Sequence, residues 1–173
     1  MPVSERPIHK RPRTVSLPPL FEPYVWEWFE EKFGRPSPPQ AVSWPKIALA
    51  KNTLIFSPTG SGKTLAAFLW CLNELFKMGR QGRLKDSIYV LYVSPLKALN
   101  NDIQKNLVEP LKGIREYARK EGVDVPDVRS QVRTGDTTTR ERAEMARRPP
   151  HILITTPESL FIILSTRKFR EAL

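Results

Sequence analysis

The sequence predicts an α/β fold in which helices cover both faces of a mainly parallel sheet, giving three layers. Three observations carry that prediction. Apolar runs such as Ile88 to Val93 and Ile152 to Thr155 read as strands buried on both faces. They alternate with stretches whose apolar residues recur at helical spacing. Between the apolar run Leu54-Ile55-Phe56 and the helical run Leu65-Ala66-Ala67-Phe68-Leu69 lies Ser57-Pro58-Thr59-Gly60-Ser61-Gly62-Lys63-Thr64. A strand, a glycine-bearing loop and a helix start in that order form the layout of a nucleotide phosphate site.

The elements follow in chain order. Met1 to Pro19 is rich in Pro, Arg and Lys, and its five prolines preclude regular helix, so residues 1–19 read as a basic tail. Tyr24 to Phe33 reads as a helix with Trp26, Phe29 and Phe33 on one face, ended by Gly34. Arg35 to Gln40 reads as a rigid connector. Ala41 to Ala50 reads as a helix carrying Val42, Ile47 and Leu49, with Pro45 close to its start. Thr53 to Phe56 is the first expected strand. The helix from Gly62 to about Lys77 carries Leu65, Phe68, Leu69, Leu72, Leu75 and Phe76 on a broad face, as packing on a sheet requires.

Gly79 to Gly82 reads as a loop and Ile88 to Val93 as the second strand, stopped by Pro95. Helices are expected over Lys97 to Val108 and Ile114 to Lys120. Val128 to Arg133 alternates apolar and polar, the pattern of a less buried strand. Thr138 and Glu141 have capping-box spacing and start a helix through about Arg147. Ile152 to Thr155 is the fourth strand. Thr156 fits an N-cap with Pro157 at N1, before a helix whose Leu160, Phe161 and Leu164 are expected to face inward.

The phosphate loop has a physical logic. Backbone N–H groups must converge on phosphate oxygens, so side chains there must be small or absent. The first turn of a helix leaves N–H groups unpaired and carries partial positive charge. Lys63 adds a full charge for the β- and γ-phosphates, and Thr64 offers a hydroxyl to Mg²⁺. The usual pattern opens with Gly, and here Ser57 stands in that place.

Bulk properties narrow the partners. The 173 residues carry a formal net charge of +10, which favours a polyanion, nucleic acid first. One cysteine, Cys71, excludes an internal disulfide and reads as a small buried hydrophobe. Two histidines, His9 and His151, supply no metal-ligand cluster. No apolar run is long enough for a membrane span, and the proline-broken basic N-terminus does not read as a signal peptide. The expectation is a soluble, intracellular, cytoplasmic protein with no membrane partner.

Three further stretches turn a generic nucleotide site into something narrower. Ser94-Pro95-Leu96-Lys97-Ala98-Leu99-Asn100 follows the second strand, Arg133-Thr134-Gly135-Asp136 ends the third, and Thr155-Thr156-Pro157-Glu158-Ser159-Leu160 ends the fourth. With Pro38-Pro39-Gln40 upstream, their order and spacing resemble the first RecA-like domain of superfamily 2 helicases. Phe33-Gly34-Arg35-Pro36, Ser57 to Leu69, and Arg148-Pro149-Pro150 through Leu160 are similar to the large helicase-related (Lhr) branch of DNA helicases. The resemblance covers roughly residues 20 to 173.

The resemblance implies a three-layer P-loop NTPase (RecA-like) fold, incomplete at the C-terminus, that uses ATP and Mg²⁺. It implies cofactor contacts from Ser57, Pro58, Thr59, Gly60, Ser61, Gly62, Lys63 and Thr64, with Lys63 and Thr64 serving the chemistry and Thr64 the metal. Gln40 matches the glutamine that hydrogen-bonds the adenine edge, a task suited to an amide; Phe21 is a weaker candidate for packing near the base. Pro95, Leu96, Lys97, Arg133, Thr134, Gly135, Thr155, Thr156, Pro157 and Glu158 match motifs that hold the nucleic-acid backbone. The expected partner is DNA, single-stranded or forked, and RNA as an alternative, bound without sequence preference in a nucleoid-associated setting. Such binding is strongly salt-sensitive.

The family's next motif, a D-E-x-H sequence, is absent, and no Asp-Glu pair occurs in the chain. Phosphoryl transfer needs a metal and an oriented water besides the phosphate cradle. The chain therefore reads as an N-terminal piece of a longer helicase chain, inactive alone. A nucleic-acid-binding module that kept the fold without catalysis is the reading from another class. A P-loop kinase or GTPase would need a base-specificity or acceptor motif that does not occur.

Overall fold

The computed structural model describes residues 20–95 and 103–165. Residues 1–19, residues 96–102 with Leu96 and Lys97, and residues 166–173 lie outside the described residues. The elements are α1 (Pro23–Phe33), α2 (Pro38–Ala48), α3 (Lys63–Arg80), β1 (Val90–Val93), a π-helical turn (Gln104–Val108) running into α4 (Glu109–Lys120), β2 (Ser130–Arg133), α5 (Thr139–Arg147), β3 (Ile152–Thr155) and α6 (Pro157–Ser165).

The sheet is parallel throughout, in the order β1-β3-β2. Its central strand β3 is buried at every residue, as a strand covered on both faces must be. Side chains alternate between faces along a strand. Ile152 and Ile154 accordingly join the main core with α1, α2, α3, the π-helical turn and α4, while Leu153 joins a smaller cluster with Ile88, Met145 of α5 and Ile163 of α6. These are the expected three layers.

Helix α3 buries the predicted face: Leu65, Phe68, Leu69, Leu72, Leu75 and Phe76 are each 5 % exposed or less. Gly34 ends α1 as expected, with φ at 73° and its N–H donating to the Glu30 carbonyl at 2.8 Å. Cys71 is part-buried, and burial pushes its thiol up to about 11, the environment of an inert cysteine.

Four expectations are corrected. Thr53 to Phe56 forms no strand: no chain is hydrogen-bonded beside it among the described residues, and Leu54 and Phe56 are 93 % and 97 % exposed. An apolar run meets the sequence criterion for a strand, but a ladder also needs a neighbour. Helix α2 starts at Pro38, inside the supposed connector, with two prolines in its first turn, where their missing N–H groups cost little. Pro45 is thereby interior to α2, and the buried face is Gln40, Ser43 and Trp44, whereas Val42 and Leu49 are exposed. The supposed loop from Gly79 begins as the last turn of α3. In α6 the inward residues are Ser159 and Ile163, whereas Phe161 and Leu164 are 75 % and 46 % exposed.

The amino edge of the sheet is held by an ion network. Arg129 pairs with Asp86 and donates to the Pro149 carbonyl at 3.1 Å, and Arg148 lies 3.8 Å from Asp86. His151, 2 % exposed, accepts the Arg129 N–H on Nδ1 at 3.1 Å. Burial first, then Arg129 and Arg148, hold the imidazole below its usual 6.5, against the opposing pull of Asp86 and Asp127. A group whose folded pKa is depressed stabilises the fold above its unfolded pKa, and that stability is lost as pH falls toward the folded value. Urea unfolding should therefore show constant stability above about pH 7.5 and a loss on going below the usual histidine value of 6.5. His151→Gln should flatten that profile. A parent profile already flat from pH 7.5 to 5.5 would contradict the neutral buried ring.

Candidate functional site

The loop from Ser57 to Gly62 is shaped by two glycines, Gly60 and Gly62, with φ of 78° and 85°, a region costly for any residue with a Cβ. Gly62 stands immediately before α3, so the free N–H groups of the first helical turn open onto the loop. A Cβ on Gly62 would meet Gln40 Nε2 at 2.6 Å. Backbone and helix start are thus brought into one concave turn by residues that cannot be replaced by bulkier ones.

Lys63, the first residue of α3, folds back over this turn. Its Nζ donates to the carbonyls of Ser57 and of Pro58, the latter at 2.6 Å. The Ser57 and Ser61 hydroxyls meet at 2.6 Å across the loop. A cation resting on loop carbonyls is where an anionic ligand would be received: phosphate oxygens replace carbonyls as acceptors of a charge already in place. Thr64 follows at the second position of α3, half-buried. No group of three or more His, Cys, Asp or Glu able to hold a metal occurs among the described residues.

The loop is fastened from below by α2. Ser37 Oγ donates to the Ser61 carbonyl at 2.8 Å, and Gln40 Nε2 to the Gly62 carbonyl at 3.3 Å. Gln40 Oε1 accepts the Ser37 N–H at 2.9 Å, completing a helix cap. Trp44, fully buried, donates from Nε1 to the Ala66 carbonyl at 2.9 Å, tying α2 to the first turns of α3. Sequence reasoning missed Ser37 and Trp44. The Ser37-Pro38-Pro39-Gln40 spacing is a capping-box signal that could have found Ser37. Trp44 was hidden by counting Val42 and Leu49 as the inner face. Phe21 is 5 % exposed and stands edge-on to Trp44 and Trp70, so it belongs to the core and not to a base-binding surface.

The second set of residues lies at the carboxyl edge of the sheet. Parallel register places Val93, Thr155 and Arg133 in one row across β1, β3 and β2. The next residues, Ser94, Thr156 and Thr134, leave the sheet together. Ser94 N donates to the Thr155 carbonyl at 3.1 Å, and Thr155 Oγ1 to the Arg133 carbonyl at 2.7 Å. The sequence motifs thus converge on one edge, the edge where open α/β sheets bind ligands.

Their exposure is uneven. Arg133, Thr155 and Thr156 are 6 %, 0 % and 4 % exposed, while Pro95, Gly135, Pro157 and Glu158 face outward and Thr134 is half-buried. Thr156 Oγ1 accepts the Ser159 N–H at 3.3 Å, the expected N-cap of α6. Glu158 brings a carboxylate to the same helix end, held below the usual carboxylate range by its own backbone N–H and the Thr156 hydroxyl. Around Gly135 the loop closes on itself: Thr134 N donates to Thr137 Oγ1 at 2.8 Å, and Arg142 of α5 donates to the Gly135 carbonyl at 3.0 Å. Arg142 is a third residue that sequence reasoning passed over.

Comparison with known proteins gives the chain a family. Residues 37–173 match the DEAD/DEAH box helicase family. An ATP-dependent helicase Lhr-Core protein 2 of Thermococcus barophilus is 58 % identical over 86 % of this chain and 17 % of its own length. An ATP-dependent helicase Lhr-Core of Methanocaldococcus jannaschii is 52 % identical over 89 % of this chain and 18 % of its own. The chain therefore spans less than a fifth of these relatives. Among solved structures, Mycobacterium smegmatis helicase Lhr bound to ssDNA and AMP-PNP superposes with a TM-score of 0.78 at 45 % identity, covering 88 % of this chain and 19 % of that one. The yeast DEAD-box splicing factor Prp28, at 23 % identity and a TM-score of 0.64, shares the fold. The family match spans well over half the sequence, and the relatives agree with it: the chain belongs to the DEAD/DEAH box helicase family.

Proposed function

We propose that this chain is the ATP-binding and nucleic-acid-binding part of the first RecA-like motor domain of an Lhr-type, ATP-dependent DNA helicase or translocase, with residues 1–19 as a basic tail and 20–173 as the domain portion. The observation that carries the nucleotide half is Lys63 resting on the Ser57 and Pro58 carbonyls at the start of α3. Bound ATP supplies the phosphoanhydride bond whose hydrolysis drives movement. With ATP bound, the backbone N–H groups of Thr59 to Gly62 would receive phosphate oxygens around the Ser57-Pro58 turn, Lys63 would neutralise the β- and γ-phosphates, and the Thr64 hydroxyl would hold Mg²⁺. Gln40, 4 % exposed, gives one donor to the Gly62 carbonyl and one acceptor to the Ser37 N–H, so an adenine edge would have to reach its second amide hydrogen and lone pair at the buried foot of the loop.

The row at the carboxyl edge serves the nucleic-acid backbone. Pro95, Arg133, Thr134, Gly135, Thr155, Thr156, Pro157 and Glu158 line or support that surface, Leu96 and Lys97 belong to the same sequence motif, and the net charge of +10 agrees with a polyanionic partner. Single-stranded DNA is favoured because the similar Mycobacterium smegmatis structure is a complex with ssDNA. Contacts to phosphates hold any sequence equally, as a stepping motor requires.

Residues 1–173 contain no Asp-Glu pair, so water activation must come from other residues. The chain alone should bind ATP without turning it over, whereas the full-length protein should show DNA-stimulated turnover and unwind DNA duplexes in preference to RNA. Turnover by residues 1–173 that Lys63→Ala abolishes would overturn the division of labour. Full-length turnover stimulated by RNA and not by DNA would overturn the choice of partner.

A further inference from the structure

We infer that Ser37 is a positioning residue for the phosphate loop: its hydroxyl fixes the peptide between Ser61 and Gly62 so that the Gly62 N–H is aimed at a nucleotide phosphate. This rests on the proposal that the loop binds the phosphates of ATP, and it adds what holds one donor of that loop in place. The Ser61–Gly62 peptide is trans, so its C=O and N–H point in opposite directions. Ser37 Oγ donates to the Ser61 carbonyl at 2.8 Å, across 24 residues of chain. That bond turns the carbonyl toward the start of α2 and the Gly62 N–H away from it.

The next peptide is oriented differently. The Gly62 carbonyl accepts the Ala66 N–H at 2.9 Å, a bond of the first turn of α3, so the helix itself sets the direction of the Lys63 N–H. Ser61 stands outside α3, and its carbonyl is held from α2. A hold is needed there because glycine makes this peptide easy to turn over. Turning it changes ψ of Ser61 and φ of Gly62 together. Gly62 has φ 85°, and glycine adopts the opposite sign about as readily. Turned over, the peptide would offer a phosphate its carbonyl oxygen, the negative end of the dipole, in place of a donor.

Ser37 is seated for this task. A Cβ on Gly62 would lie 3.5 Å from Ser37 Oγ, so the hydroxyl packs directly under the glycine whose N–H it directs. The Ser37 N–H is itself fixed by Gln40 Oε1 at 2.9 Å, which anchors the hydroxyl to the start of α2. Capping α2 is a separable role. A cap uses the hydroxyl oxygen as an acceptor, whereas the bond to Ser61 uses the hydroxyl proton.

The test uses the full-length protein, with ADP and adenosine as ligands and affinities measured by calorimetry. Ser37→Gly removes the hydroxyl proton and costs the cap of α2 little, since glycine is itself a tolerated N-cap. It should weaken ADP binding about tenfold, the loss of one hydrogen bond to a charged group, and leave adenosine, which has no phosphate, bound as in the parent. Ser37→Thr keeps a hydroxyl and should bind ADP like the parent. ADP and adenosine weakened by the same factor would make Ser37 a general support of the fold and overturn the inference. So would unchanged ADP affinity in the Gly variant, or a Thr variant as weak as the Gly one. A parent that binds adenosine as tightly as ADP would instead sink the underlying phosphate-site proposal. Melting without nucleotide is followed for each variant; if Ser37→Gly melts well below the parent, Ser37→Ala carries the same comparison.

Discussion

Lys63→Ala in the full-length protein is expected to lower ATP turnover by at least about a hundredfold, since removing one preorganised charge from a developing anion typically costs about 3–4 kcal/mol. The structure says why no neighbour compensates. Lys63 is the cation that donates to the loop carbonyls of Ser57 and Pro58, and no acidic residue occupies the first turn of α3 to repel an incoming phosphate. Removing the ammonium leaves the carbonyls facing the phosphates with no charge between them. Lys63→Arg should restore little, because a planar fork on a longer stem does not fit two carbonyls of one tight turn. Without nucleotide the Ala variant should melt within a few degrees of the parent, since Lys63 is only part-buried and packs no core. Turnover near the parental rate would remove the phosphate-site assignment; a large drop in melting temperature would recast Lys63 as a structural residue.

Much of this was legible before the fold was known, and the reasons differ by element. The face of α3 was readable because six apolar residues at helical spacing leave one solution. β3 was readable because a continuous apolar run ended by Thr156 and Pro157 fixes both its burial and its stop. The convergence of the three strand-end motifs needed the parallel register, which no local pattern contains. Thr53 to Phe56 failed because strand formation depends on a neighbour, and four apolar residues say nothing of who that neighbour is. Helix α2 failed for a related reason. Its inward face is set by Trp44 reaching the Ala66 carbonyl, a contact across 22 residues that outweighs the local count of Val42 and Leu49. Arg142 escaped notice because an arginine among the charged residues of α5 resembles any solvated one until its guanidinium is seen on Gly135.

Trp44→Ala is expected to cost about 3–5 kcal/mol, a large share of the roughly 5–15 kcal/mol that holds a domain together. Trp44 is fully buried, and its ring lies edge-on to Phe21, Trp26 and Phe29, with centroids 4.9, 6.2 and 5.4 Å away. Truncation leaves an indole-sized cavity among stiff aromatic neighbours that cannot close over it. It also removes the donor to the Ala66 carbonyl. The expected fall in melting temperature is about 10 °C or more, with Trp44→Phe retaining most of the ring contacts and losing about 1–2 kcal/mol for the missing N–H. The functional consequence follows from where α2 is tied. Ser37 and Gln40 hold the Ser61 and Gly62 carbonyls from the same helix that Trp44 anchors to α3. Below its melting temperature, Trp44→Phe should therefore bind ATP more weakly than the parent, because the loop loses its fixed distance from Gln40. A Phe variant equal to the parent in both melting temperature and ATP affinity would show that packing alone sets the loop and that the indole N–H is idle.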